Sequence, residues 1–204
     1  MTIRYHVGDL PDLSRYTTSV AIDTETMGLN PHRDRLCVVQ LSPGDGSADV
    51  VKIGLGQKRA PNLEKLLADP AVVKIFHYAR FDIGVLFHTF GVTTAPIYCT
   101  KVASKLVRTY TDRHGLKDLV KDCIGVEISK QQQSSDWGAD ELTEAQLAYA
   151  ASDVLYLHQI KEKLDFWLER EGRTDLAAAC FEYLPTKAKL DLLGYAENDV
   201  LDHS

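Results

Sequence analysis

A run of apolar, β-branched residues ends in two carboxylates. Thr18-Ser19-Val20-Ala21-Ile22 leads straight into Asp23-Thr24-Glu25. Val20 and Ile22 favour a strand. Successive side chains on a strand point to opposite faces, so Asp23 and Glu25 share one face. Gly28, Asn30 and Pro31 then break the strand. The apolar run pulls the backbone inward, yet carboxylates are seldom buried unless paired or bound to a metal. Whatever fold the chain adopts has to answer that conflict.

The same conflict recurs twice downstream. Asp82 lies between Phe81 and Ile83, in a stretch whose apolar spacing predicts a helix over Ala79 to Phe90 with Gly91 as its stop. Asp153 precedes Val154-Leu155. It belongs to a helix that the capping box Thr143-Glu144-Ala145-Gln146 opens. Leu147, Ala150, Val154, Leu157, Leu164 and Leu168 give that helix a buried stripe, and the pattern predicts one helix to Glu171. Tyr149 stands one turn before Asp153 on the same face. Clustered, the four carboxylates would repel strongly, and two divalent cations would offset that charge. Hard oxygen ligands suit Mg²⁺ or Mn²⁺. Two such ions about 4 Å apart activate a water and stabilise a leaving oxygen at phosphorus. A phenol with a reference pKa of about 10 is a poor base at neutral pH, so Tyr149 is assigned to orienting the water.

The remaining pattern predicts one α/β domain with a mixed sheet. Residues 1–17 read as a short strand and a turn at Pro11. Strands at Leu36 to Leu41 and Ala48 to Ile53 complete an antiparallel meander. Then come a helix from Asn62 to Ala68, strands at Val72 to Phe76 and Ile97-Tyr98, and helices over Thr100 to Tyr110 and Leu116 to Cys123. Ile128 to Gly138 reads as a polar loop that Trp137 anchors, with Lys130 a solvated charge, and a helix and polar tail follow Gly172. At 204 residues, a single domain over 1–204 is expected, with a motif-bearing core of about 15–171 and an extension over 172–204. Cys37, Cys99, Cys123 and Cys180 lack metal-site spacing and read as reduced thiols. No signal peptide or apolar run of membrane length is present, so a cytoplasmic protein is expected.

A net charge of −6 argues against a nucleic-acid binder that works by overall attraction. A local track remains open. Lys101, Lys105, Arg108, Arg113, Lys117 and Lys121 face only Asp112 and Asp118. Lys101, Lys105 and Arg108 share one face of the expected helix and read as a phosphate track. Residues 161–204 hold ten acidic and six basic side chains and make a poor second surface.

These motifs, in this order, resemble a known superfamily. Asp23-Thr24-Glu25-Thr26-Met27-Gly28-Leu29 looks like the first motif of the DEDD 3′→5′ exonucleases. His77-Tyr78-Ala79-Arg80-Phe81-Asp82 looks like the second, and Tyr149-x-x-x-Asp153 like the third in its tyrosine form. Gly115-Leu116-Lys117-Asp118-Leu119-Val120, Ser135-Asp136-Trp137 and the run from Leu142 to Ala150 are similar to the ribonuclease D catalytic domain. The resemblance implies a ribonuclease H-like mixed β-sheet flanked by α-helices, two Mg²⁺ or Mn²⁺ ions on Asp23, Glu25, Asp82 and Asp153, and hydrolysis of single-stranded RNA from its 3′ end. Met27 and Leu29 match positions at which the superfamily packs the terminal nucleotide. Thr26, His77 and Phe81 are further candidate substrate contacts, with a hydrogen-bonded core histidine and a core phenylalanine as the other readings of the last two. The alternatives are a Werner-type exodeoxyribonuclease and a catalytically silent nucleic-acid-binding module. Asp140-Glu141 stands where ribonuclease D has an Arg-Pro pair, and no downstream helical nucleic-acid-binding domain fits in the residues after Gly172. Oligomeric state does not follow from any of these features.

Overall fold

The computed structural model describes residues 1–129, 131–198, 200, 201 and 203. Lys130 lies outside the described residues. Six strands form one sheet: β1 (Thr2–Val7), β2 (Ser19–Thr26), β3 (Leu36–Ser42), β4 (Ser47–Lys52), β5 (Val73–Phe76) and β6 (Ile97–Cys99). Their order across the sheet is β1-β4-β3-β2-β5-β6. β2, β3 and β4 form the expected antiparallel meander, while β2–β5, β5–β6 and β1–β4 pair in parallel. The sheet is therefore mixed, as the element pattern predicts.

Helices cover both faces because both faces of β2 are apolar. Val20 and Ile22 point into a core built with α1 (Pro61–Ala68), α2 (Ala79–Phe90) and the C-terminal half of α7 (Thr174–Leu190). Ala21 points the other way. That second core takes in α3 (Thr100–Val107), α4 (Leu116–Ile124), α5 (Glu144–Leu155) and α6 (Leu157–Arg170). No helix among the described residues is long and apolar enough to cross a membrane.

Two helix ends differ from expectation. The single helix predicted from the capping box to Glu171 is two, broken at Tyr156. Just before the break, the Ser152 hydroxyl donates to the Tyr149 carbonyl at 2.7 Å. Side-chain donation to a helix carbonyl competes with the ladder and bends the helix. The helix predicted to reach Tyr110 stops at Val107, where Arg108 leaves helical geometry. Its side chain turns inward instead, pairing with Asp122 and donating to the Arg113 carbonyl at 2.8 Å.

Lys74 shows how β5 is anchored beside β2. It is fully buried, and its ammonium donates to the carbonyls of Asp69, Val72 and Ala95 at 2.5, 2.7 and 2.5 Å. Burial lowers its pKa to about 8, so it remains a cation at neutral pH. Three buried carbonyls lose their donor if it is removed. Lys74→Met is expected to cost about 3 kcal/mol in urea denaturation, and a variant as stable as the wild type would contradict this account.

Candidate active site

The site forms at the end of β2, an interior strand held on both edges by β3 and β5. Asp23 and Glu25 lie on the Ala21 face, toward α5, as their spacing predicts. Across the strand pair, Asp23 sits opposite Gln40, whose amide nitrogen donates to Asp23 Oδ2 at 2.7 Å. The β2–β3 register shifts between Glu25 and Thr26. Such a bulge re-aims the chain and is common beside active sites. The turn that follows admits only a small residue: a Cβ on Gly28 would lie 2.4 Å from Asp34 Oδ2.

α5 delivers the other half. Its N-terminus is fixed as the sequence predicts, with Thr143 and Gln146 capping each other's backbone. One turn apart on the sheet-facing side stand Tyr149 and Asp153. Ligand oxygens of Asp23, Glu25 and Asp153 lie within 4.8 Å of one another. Asp82, from the first turn of α2, belongs to the same electrostatic group without joining this trio. Thr24 reaches it from the opposite face of β2 and donates to Asp82 Oδ1 at 2.6 Å.

Burial, and then mutual repulsion, raises the pKa values of Glu25, Asp82 and Tyr149, and burial raises that of Asp23. Burial pushes Asp23 up to about 7, against the hydrogen bond from Gln40. Glu25 is raised by burial and then by Asp23, Asp153 and Asp82. Burial and then Asp23 raise Asp82. The Tyr149 phenol is raised by burial, then by Asp153, so it stays protonated. Hard carboxylate oxygens that converge and keep their protons are the donor set a divalent cation displaces protons from. By that test the residues fit a divalent metal.

The cleft above them holds about 670 Å³. Thr26, Met27, Leu29, His77, Phe81 and Lys101 line it together with Asp23, Glu25, Tyr149 and Asp153. Met27 and Leu29 are 52% and 83% exposed, too open for ordinary strand-end packing. His77 is tied at Nδ1 to the Thr100 hydroxyl at 2.9 Å, and that hydroxyl donates to the Phe76 carbonyl, so Nδ1 is the donor of the pair.

The basic track does not survive as one face. Arg108 is 2% exposed and committed to its internal partners, and neither it nor Lys105 lines the cleft. Lys117 does line it, as does Lys101. Tyr78 was not singled out from sequence. It precedes α2 in left-handed geometry, φ 68°, and Lys101 Nζ lies 4.4 Å from its ring centroid. A bulky residue at positive φ is the signal, and only coordinates reveal it.

The family model described as a 3′–5′ exonuclease matches residues 9–169. Ribonuclease D of Gluconacetobacter diazotrophicus is 41% identical over 160 residues, which are 78% of this chain and 40% of that protein. The chain thus spans about two fifths of the length of the curated relatives it matches. Brucella melitensis NrnC with bound Mg²⁺ is similar over 100% of both chains, with a TM-score of 0.97 and 61% identity. A second structure of that protein, bound to pGG, gives 0.97 and 62%, again over 100% of both chains. Escherichia coli ribonuclease D, described as an exoribonuclease involved in structured RNA processing, gives 0.76 and 27% over 86% of this chain and 46% of that one. The mixed six-stranded sheet flanked by helices is the ribonuclease H-like fold of these nucleases.

The raised carboxylates set a pH dependence for the metal-free protein. Unfolded, they titrate near the ordinary value of about 4. Between that value and the folded value, about 7 for Asp23, the folded state binds more protons than the unfolded state. Stability then falls as pH rises. In chelator, the melting temperature is expected to drop by about 5 °C or more from pH 5 to pH 8. Mg²⁺ should restore most of the loss at the higher pH and little at the lower. Asp23→Asn combined with Glu25→Gln should flatten the profile; an unchanged slope in that variant assigns it to other groups.

Proposed function

The chain belongs to the 3′–5′ exonuclease family, and from that premise we propose that it is an exoribonuclease. It removes nucleoside 5′-monophosphates one at a time from the 3′ end of single-stranded RNA. The observation that carries this reading is the convergence of Asp23, Glu25 and Asp153 beside the Tyr149 phenol, with Asp82 behind them. A binding module has no need to gather carboxylates where they repel each other and any phosphate. RNA is preferred to DNA because the curated relatives are ribonucleases D. Asp23, Glu25, Asp82 and Asp153 would hold two divalent cations, Mg²⁺ or Mn²⁺. Bound there, they would supply a lowered water pKa and charge stabilisation for the leaving oxygen.

The chain's own residues do the rest. Gln40 and Thr24 orient Asp23 and Asp82 by donating to Asp23 Oδ2 and Asp82 Oδ1. Tyr149, protonated at neutral pH, holds the attacking water by hydrogen bonding and takes no proton. Met27 and Leu29 pack against the terminal nucleotide. Lys101 and Lys117 meet phosphates in the cleft, and the Tyr78 ring, steadied under Lys101, offers a stacking surface. Strained backbone such as that of Tyr78 clusters at ligand-binding sites. This work takes place in the cytoplasm.

Polarity and products test the reading. RNA labelled at its 5′ end should shorten progressively with release of 5′-monophosphates, chelator should abolish the reaction, and a circular RNA should persist. Cleavage of the circle would falsify it, and faster hydrolysis of DNA would favour the exodeoxyribonuclease alternative.

Two variants separate roles within the site. Tyr149→Phe keeps the ring and deletes one aligned donor, so kcat should fall about 10²-fold with KM, metal affinity and melting temperature nearly unchanged. Lys101→Ala with Lys117→Ala should raise KM and reduce the slope of log KM against log salt by about one to two. Lys105→Ala should do neither. Full turnover in Tyr149→Phe would reduce the phenol to a packing residue.

A further inference from the structure

Trp137 has no role in the reaction as derived above, yet it sits in the wall of the catalytic cleft. It is 2% exposed, and its indole Nε1 has no hydrogen-bond partner. Buried indole N–H groups normally find an acceptor, and one that does not calls for an explanation. The ring is placed by packing. It lies against Tyr149 with centroids 6.0 Å apart and planes tilted by 40°. Cys37, Val38, Val50 and Ala150 close the pocket around it.

The segment carrying Trp137 has no regular secondary structure, so its position needs outside anchors. It has three. Gln146 of α5 donates to Ser135 Oγ and the Asp136 carbonyl at 3.2 and 3.0 Å. Arg35 donates to the Gly138 carbonyl at 3.2 Å. Lys52 donates to the Asp140 carbonyl at 2.6 Å and also to that of Ala139. Gly138 approaches the first motif closely: a Cβ there would lie 2.5 Å from Met27 Sδ. One short strap therefore touches the Tyr149 ring on one side and Met27 on the other.

We propose that Trp137 is a positioning residue for Tyr149: the anchored strap 135–140 holds the indole against the phenol ring and so fixes where the hydroxyl points. The proposal rests on Tyr149 orienting the water, as argued above. Without the indole the Tyr149 ring gains a vacant side and its hydroxyl loses a single direction. Misplacement on the ångström scale near the reacting atoms costs about ten- to hundredfold in rate. Substrate is held by other residues, so its affinity should stay.

A double-mutant cycle with an independent probe tests this. Trp137→Leu is expected to lower kcat about tenfold or more with KM within about twofold, and Trp137→Phe to recover most of the loss. In the Tyr149→Phe background, where no hydroxyl remains to misplace, Trp137→Leu should cost less than about twofold further. Losses that multiply, or a change confined to KM, would overturn the proposal. Should Trp137→Leu not fold, Trp137→Phe in both backgrounds reads the same coupling on a smaller scale. Fluorotyrosine labelling, with the Tyr149 resonance assigned by its loss in Tyr149→Phe, reads ring placement without turnover. That resonance should move toward the free-tyrosine position in the Trp137 variants, and an unmoved signal overturns the placement. An inactive wild type with a moved signal would instead sink the nuclease reading.

Discussion

Like charges held close together in a poorly hydrated place are the condition that the rest of this structure serves. Three carboxylates converge to within 4.8 Å, and a fourth, Asp82, further raises the pKa of Glu25. At that spacing and an effective dielectric near 20, each pair repels by on the order of 3 kcal/mol. A flexible loop would relieve the repulsion by moving apart. β2 does not, because β3 and β5 hold both of its edges and apolar cores hold both of its faces. α5 does not, because its N-terminus is capped and Ala150, Ala151 and Val154 are buried. The frame is stiff where charge is concentrated, and that charge is neutralised by protons or by cations.

Much of this was legible because its causes are local. Strand alternation put Asp23 and Glu25 on one side, the capping box marked the start of α5, and apolar spacing with Gly91 gave α2 its observed ends. What could not be read depends on partners far along the chain. Helical spacing grouped Arg108 with Lys101 and Lys105, but a shared face exists only while the helix lasts, and this one ends at Val107. Beyond that point Asp122 decided where the guanidinium went. The break at Tyr156 was missed because the apolar stripe runs on through it; the Ser152 back-bond leaves no mark in hydrophobic periodicity. Tyr78 was invisible for another reason: left-handed backbone in a tyrosine is imposed by the turn between β5 and α2, and nothing in the residue type announces it.

The charge balance is resolved by position. A net −6 is unfavourable for approaching a polyanion, and the carboxylate floor makes it worse locally. Lys101 and Lys117 line the same cleft. Attraction inside a cleft acts within a Debye length of about 8 Å at physiological salt, so distant acidic residues on the C-terminal helices weigh little there. Lys101 and Lys117 line the cleft, while Arg108, Arg113 and Lys121 are engaged in ion pairs with neighbouring acids.

The same logic gives the C-terminal segment a place in the site. α7 buries Leu184 and Ala188 in the core shared with α2, and the π-helical turn Asp191–Tyr195 follows it. Asp191 pairs with Arg80 through both carboxylate oxygens. His32, in the turn after β2, hydrogen-bonds the Leu192 carbonyl at 2.9 Å. Arg80 lies two residues before Asp82 and two after Tyr78, in the first turn of α2. Fixing its side chain fixes the rotation of that turn, and with it the direction from which Asp82 meets Thr24. One short turn thus braces the loop after the first acidic pair and the start of the helix bearing the third carboxylate. The acidic residues gathered near the chain's C-terminal end, a poor surface for nucleic acid, supply in Asp191 a partner that α2 needs.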